Sequence, residues 1–375
     1  MATVSSGAVP PEVVWAHAAG APSNGVDDDT PVVQALLDAN KLVMFEPGRL
    51  FRFYTKLELS SMARLRSLGP GNSDGLQVTS SAKLVFTGSG SGCFVSKNPN
   101  NYLSHGGFND LTVRAEGPYL AVFDLPNCVE MTWQNCTIET NNVNTGGIRG
   151  GKLPGLNAWI NRIIACNWRL PDAGTSWVYD VNWSDSEVVA SHFTGGLGSI
   201  DRGFGVSYIA NQFERARYRG LRISKEYEAK QGNIIGNRFD ANADVGLEIF
   251  VDDDASTQTR IALSIVGNQF RTVSPTNPGV LGQADIRYTS KFTDRTYSIL
   301  PPIASVYTAG LTTHVQRDPA KFSSAFTVDG DIGTQLAGTL IDQNGLLFPR
   351  GLGYAITAHS QSPEGGFRLF QGAYA

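Results

Sequence analysis

The chain has 375 residues, of which 17% are charged and 41 are glycine, and its formal net charge is −4. That balance excludes the basic footprint of a nucleic-acid binder. No run of about 18 apolar residues offers a membrane span, and the Met1–Ala8 start lacks the basic and apolar regions of a signal peptide.

The length fits two domains, or one solenoid with a cap. Residues 1–24, rich in Ala, Pro, Ser and Gly, read as a flexible N-terminal segment. Residues 25–60 read as a helix cap and first strands. Thr30 is placed to cap a helix, Pro31 suits its first position, and Val32, Val33, Leu36 and Leu37 form one apolar face. Strands then follow at Lys41–Phe45, ending in the turn Glu46-Pro47-Gly48, and at Phe51–Tyr54 and Leu57–Leu59. Further strands are expected at Leu76–Val78, Lys83–Phe86 and Cys93–Val95, divided by Gly/Ser turns.

The central stretch repeats. Ser191-His-Phe193, Asn211-Gln-Phe213, Asn237-Arg-Phe239 and Asn268-Gln-Phe270 each follow a short apolar run. Weaker copies stand at Asn109-Asp-Leu111, Asn135-Cys-Thr137 and Cys166-Asn-Trp168, so the unit recurs every 20 to 31 residues. Such spacing means stacked supersecondary units. Each unit holds only short alternating runs, such as Gly220–Ile223 and Gly246–Ile249, with no room for a crossover helix. Gly before Asn supplies the φ > 0 of a sharp corner, and the Phe is expected to point inward and stack on its counterpart in the next coil.

Similar turns occur in β-sandwiches, but variable spacing at a constant turn favours an all-β right-handed parallel β-helix over residues 61–296. Longer excursions at 141–156 and 252–259 are expected binding loops. Beyond about Tyr297 the pattern changes, and 297–375 reads as a β-rich C-terminal cap or oligomerisation domain. The four cysteines, Cys93, Cys128, Cys136 and Cys166, fit no zinc spacing and are expected as buried stacked thiols.

The run from Gly25-Val-Asp-Asp-Asp-Thr30 through a helix to Glu46-Pro47-Gly48 and an aromatic strand resembles the opening of pectate-lyase-like parallel β-helices, especially bacteriophage tailspikes and related polysaccharide-degrading enzymes. The resemblance covers residues 25–60 closely and the repeats to about 290 loosely. It implies a virion tail protein that binds bacterial surface polysaccharide, trimerises through its C-terminal region and attaches to a baseplate or tail partner through its N-terminal segment. It does not fix the chemistry, because such folds carry hydrolases, lyases, epimerases and bare binders. A C-terminal end cap on a monomer is the alternative to the trimer.

Alternation within the strands supplies candidate site residues. If Leu247 and Ile249 point inward, Glu248 points outward, as does Arg222 one coil earlier. Asp285, Asp180, Asp201 and Arg202 are expected on the same face. Two carboxylates flanking a scissile bond are what glycoside hydrolysis needs. The expected pairs are Glu248 with Asp285, or with Asp252 or Asp253, and Asp180 with Asp201. Arg222 and Arg202 would bind an acidic glycan. A lyase would instead use Lys225 or Tyr227 as base beside Arg222. The plain alternative is a solvated charged face. The Asp252–Asp254 run reads as an acidic loop in preference to a calcium site, no cofactor is expected, and His192 is expected as an exposed member of the stack.

Overall fold

The computed structural model describes residues 12–68, 81–151, 158–203, 205–225, 229–243, 245–251, 260–266, 268–271, 284–290, 298–300 and 303–304. The strands join in parallel into four sheets of 12, 10, 9 and 4 strands, here sheets A to D. One coil shows the path: Thr132–Gln134 in sheet A, Thr137–Thr140 in B, Gly146–Gly150 in C, Ala158–Trp159 in D, then back to sheet A at Arg162–Ile164. This is a parallel β-helix, as the repeats require, and no two face-packed antiparallel sheets occur among the described residues.

The repeated corner is built from side chains that stand in for backbone partners. Asn211, Asn237 and Asn268 stack inside the A-to-B corner. The Asn211 amide N–H donates to Asn237 Oδ1 at 2.9 Å, and the Asn237 N–H donates to Asn268 Oδ1 at 2.9 Å. Their amide groups also donate to the carbonyls of Val188, Tyr208 and Ile234. Buried backbone groups are thereby satisfied where the chain turns too sharply to satisfy them itself. The residue before each of Cys166, Ser191, Asn211 and Asn237 is left-handed: Ala165 at φ 53°, Ala190 at 50°, Ala210 at 55° and Gly236 at 64°. Glycine is therefore not required there, since alanine takes the same conformation in three coils.

Beside the corner lies the expected aromatic column. Trp168 stacks on Phe193 (centroids 6.1 Å), Phe193 on Phe213 (5.2 Å) and Phe213 on Phe239 (5.2 Å). Upstream, the register differs from the expected alignment. Val113 and Ile138, in place of Leu111 and Thr137, continue the column. Cys136, in place of Asn135, takes the ladder position; its N–H donates to Cys166 Sγ at 3.5 Å, and the Cys166 N–H donates to Ser191 Oγ at 3.1 Å. All four cysteines are free and buried, because they fill the inside of the coil.

The helix Thr30–Asp38 covers the open end of the core with Val33 and Leu37. Two boundaries move. Residues 12–24 are not a tail: Val13–Trp15 pairs with Leu42–Met44 as the first rung of sheet A, and Ala16 and Ala21 are buried. Thr30 is the first helical residue and Asp29 the cap position. The Asp29 carboxylate ties Ser23 N–H and Arg52 N–H at 2.7 Å each, while Asp28 accepts the Thr30 N–H at 2.9 Å. At the other end, Ser298–Leu300 and Ile303–Ala304 still pair in parallel with Arg260–Val266, so the stack continues past residue 296. The rest of the C-terminal region, and the Leu76–Val78 strand, lie outside the described residues.

Candidate functional site

Sheet C carries most of the expected site, and its register forms a column of alternating charge: Asp124, Arg149, Asp180, Ile200, Arg222, Glu248. The expectation that Glu248 and Arg222 share one face holds. Its exposure does not. Glu248 is 2% exposed, held by Arg222 (Nε to Oε2, 3.5 Å) and by Arg219 (Nη2 to Oε1, 3.4 Å). Asp180 is 6% exposed and paired with Arg202. These carboxylates neutralise cations along the column instead of facing solvent.

Neither Glu248 with Asp285 nor Asp180 with Asp201 stands in register as a pair. Arg287, not Asp285, stands opposite Glu248 in register. Asp201 belongs to the strand Gly198–Asp201, one position out of step with Asp180, so the two point to opposite faces. Asp201 turns into the core, where its Oδ2 accepts the Tyr208 hydroxyl at 3.0 Å and its Oδ1 accepts the Gly203 N–H at 2.6 Å. Burial, and then the Asp201 charge, push the Tyr179 and Tyr208 hydroxyls well above the usual phenol range. Tyr227, Asp252 and Asp253 lie outside the described residues, as do the side chains of Lys225 and Asp285.

The outer face of sheet B presents a second charged column that the strand alignment overlooked. The residue after each inward member of the column, Ile138 or an aromatic, points outward, giving Glu139, Arg169, Thr194, Glu214 and Asp240 on consecutive rungs. The sequence signal was present in Asn211-Gln-Phe-Glu214 and Asn237-Arg-Phe-Asp240: the position next to a fixed inward aromatic must face out. Glu214 is held by Gln212 (Nε2 to Oε2, 2.6 Å) and by His192 (Nε2 to Oε1, 3.0 Å), and Thr194 Oγ1 lies 2.8 Å from the same imidazole nitrogen. Asp240 is itself only 7% exposed and is paired with Arg238; unlike the arginines of sheet C, that arginine has a half-exposed side chain, so the pair opens to solvent through its cation.

His192 is half-buried rather than exposed, and desolvation holds its pKa below the ordinary histidine value despite the neighbouring Glu214. It is neutral at pH 7, able to give or take a proton beside a carboxylate. Up the same face lies a recess of about 430 Å³ lined by Arg114, Glu139, Asn141, Arg169 and Pro171 among others. Arg114 donates to Glu139 Oε2 through both Nε (3.0 Å) and Nη2 (2.8 Å). Among the described residues no cluster of His, Cys, Asp and Glu is arranged to hold a metal ion. What the face offers is two adjacent carboxylates, a neutral imidazole and several guanidiniums.

No protein-family model matches the sequence, and no curated protein is similar to it. Solved structures are similar in fold. The tailspike protein of Acinetobacter baumannii phage AM24 is 16% identical over 74% of this chain and 47% of its own, with a TM-score of 0.47. The Streptococcus pneumoniae surface adhesin PfbA is 12% identical over 74% of this chain and 82% of its own, at 0.44. The A-module of the Azotobacter vinelandii mannuronan C-5 epimerase AlgE6 is 12% identical over 78% of this chain and all of its own (100%), at 0.38. This chain thus spans less than half of the tailspike's length, and its fold rests on the strand register described above.

Proposed function

We propose that this chain is a tailspike-type protein that binds and depolymerises a bacterial surface polysaccharide by glycoside hydrolysis, using the outer face of sheet B. The observation that carries the reading is the register Glu214↔Asp240. Rungs of a sheet lie about 4.8 Å apart, close to the roughly 5–5.5 Å separating the two carboxyls of a retaining glycosidase. Glu214, beside the neutral His192, serves as general acid and then base. Asp240, oriented by Arg238, attacks the anomeric carbon as the glycosidic C–O bond breaks and the leaving oxygen takes the Glu214 proton. Water, deprotonated by the Glu214 carboxylate, then cleaves the bond to Asp240 and restores both acids. A linear glycan lying along the solenoid axis meets both. The test is incubation with capsule, O-antigen and exopolysaccharide preparations followed by assay for new reducing ends. Binding without new ends defeats the enzymatic part and leaves a receptor-binding spike.

A second reading has its own support. His192 is neutral and lies near enough to Arg169 and Arg215 for their charges to lower its pKa further. A base beside cations that neutralise a uronate carboxylate is the arrangement of a polysaccharide lyase. Its products would be unsaturated and absorb in the ultraviolet.

The same proposal includes a homotrimer on a virion tail, attached to a tail or baseplate partner through the N-terminal segment. Support for self-association comes from sheet A, where Ile164, Val189, Ile209 and Ile235 share one outward column and the last two are each 36% exposed. An apolar strip repeated at the rung spacing matches the strip of a second copy. Mass in solution by light scattering, with Ile209→Asp beside the parent chain, tests it. A monomeric parent sinks the trimer.

A further inference from the structure

The recess on sheet B shares a face with Glu214 and Asp240, but cations dominate its lining. Arg114 and Arg169 occupy the rungs on either side of Glu139 in one column, so two guanidiniums and one carboxylate line it. Glu139 takes the Nε and Nη2 protons of Arg114. That fixes the plane of the guanidinium, and its Nη1 makes no hydrogen bond among the described residues. The Asn141 side-chain amide on the rim likewise has no hydrogen-bond partner among them.

The adjoining B-to-C corner adds to this. Arg217 is exposed; its Nη1 donates to the Ala173 carbonyl at 3.4 Å, and it meets no carboxylate among the described residues. Ala173 is two residues beyond Pro171, so the Arg217 head group is tied to the same connection that supplies one wall of the recess. Next to it the Tyr218 ring is 45% exposed, with Arg219 at 5.8 Å from its centroid. Fixed guanidiniums read planar anions bidentately, and an exposed tyrosine presents a flat apolar face beside a polar tip.

We infer that the recess and this corner form a subsite for an acidic sugar residue, one carrying a carboxylate or a sulfate. Arg169 lies two rungs from Glu214 in the same column, roughly 10 Å along the axis, so a single chain spans the subsite and the acid pair. The inference rests on the reading of sheet B as the saccharide face. Arg114 and Arg169 hold the anion from the floor. Arg217 closes over it from the corner, Asn141 bonds a ring hydroxyl, and Tyr218 underlies the neighbouring sugar.

The experiment measures binding of polygalacturonate, chondroitin sulfate and dextran by the parent chain and by Glu214→Gln, at low and high salt, with Arg169→Ala/Arg217→Ala beside them. Circular dichroism melting establishes that each variant is folded, and Arg217→Ala alone, at an exposed position, stands in if the double variant is not. The expected result is binding of at least one acidic polymer, weakened by salt, with dextran unbound and the double variant about tenfold or more weaker, as for lost hydrogen bonds to charge. Preference between the two acidic polymers distinguishes carboxylate from sulfate. Binding of dextran as tight as that of the acidic polymers overturns the subsite, as does failure to bind either acidic polymer or undiminished binding by the folded arginine variant. Failure of the hydrolytic reading looks different: binding persists and depends on the arginines, but the parent chain releases no reducing ends.

Discussion

Arg222 and Glu248 face each other across consecutive rungs of sheet C, Nε to Oε2 at 3.5 Å, with Arg219 donating to both carboxylate oxygens, through Nε to Oε2 and through Nη2 to Oε1. A buried carboxylate with two guanidiniums resists loss of one partner, because what remains is uncompensated charge. Breaking a buried pair costs about 3–5 kcal/mol. The 19% exposure of both arginine side chains sets Glu248→Gln near the lower end, about 3 kcal/mol. Urea unfolding should show that loss, while polysaccharide binding by the folded variant stays unchanged. A Glu248→Gln chain as stable as its parent but inactive would restore Glu248 to the site.

The sheet B acids should behave the opposite way. Glu214→Gln and Asp240→Asn are each expected to slow release of reducing ends by about 10²- to 10⁴-fold, the usual contribution of a positioned acid or base. Their affinity for the substrate should remain close to the parent's. Steady-state rates beside equilibrium binding separate the two effects.

Asn237 holds one rung of the corner ladder to the next. Asn237→Ala removes the acceptor of the Asn211 N–H and the donor to the Tyr208 carbonyl. Two buried backbone groups left unpaired cost about 1–3 kcal/mol each. Asn237→Ser should lose less, because Ser191 already serves at this position, accepting the Cys166 N–H and donating to the Val189 carbonyl. Chemical denaturation of the two variants gives the order.

Phe213 stacks on both neighbours at 5.2 Å. Its truncation to alanine opens a void between coils that cannot collapse without breaking the rung spacing, and the expected loss is about 3–5 kcal/mol. Thermal melting with near-ultraviolet circular dichroism reads it.

His192 sets a pH dependence. Burial lowers its pKa in the folded chain below the ordinary 6.5. The unfolded chain therefore takes up the proton first as pH falls, and stability drops from about pH 6.5 down to the folded value, then levels. Above that window the imidazole is neutral in both states and contributes no slope. Melting temperatures between pH 7 and 5 should fall less for His192→Gln, which places at this rung the residue found at position 212.

The coil architecture was legible because a corner needing Asn and an inward aromatic repeats its letters. The same letters misled where a chemically different side chain does the work. Cys136 fills the ladder position that Asn135 seemed to claim, since a thiol also fits inside the corner and takes part in its hydrogen bonds. Alternation told correctly that Glu248 and Arg222 share a face, but it carries no information on what covers that face. Two arginines from the preceding coil bury the carboxylate, and they lie 26 and 29 residues away in sequence. Asp201 was misplaced by one residue because Gly203 and Gly205 mark a turn that ends its strand early, and a slip of one residue reverses the side. Glu214 and Asp240 follow Phe213 and Phe239 in sheet B, whereas the alternation of Gly220–Ile223 and Gly246–Ile249 speaks only for sheet C.

Successive ladder residues are joined across as few as 20 residues, between Ser191 and Asn211, and as many as 31, between Asn237 and Asn268. The hydrogen-bond geometry at both joints is the same, 2.9 Å in each case. Excess length is therefore absorbed in longer strands, such as Val245–Val251 and Arg260–Val266, and in the connections between them, and the corner joint is indifferent to it. Segments grafted into those connections would reshape the rim around the saccharide face without moving a single carboxylate along the axis.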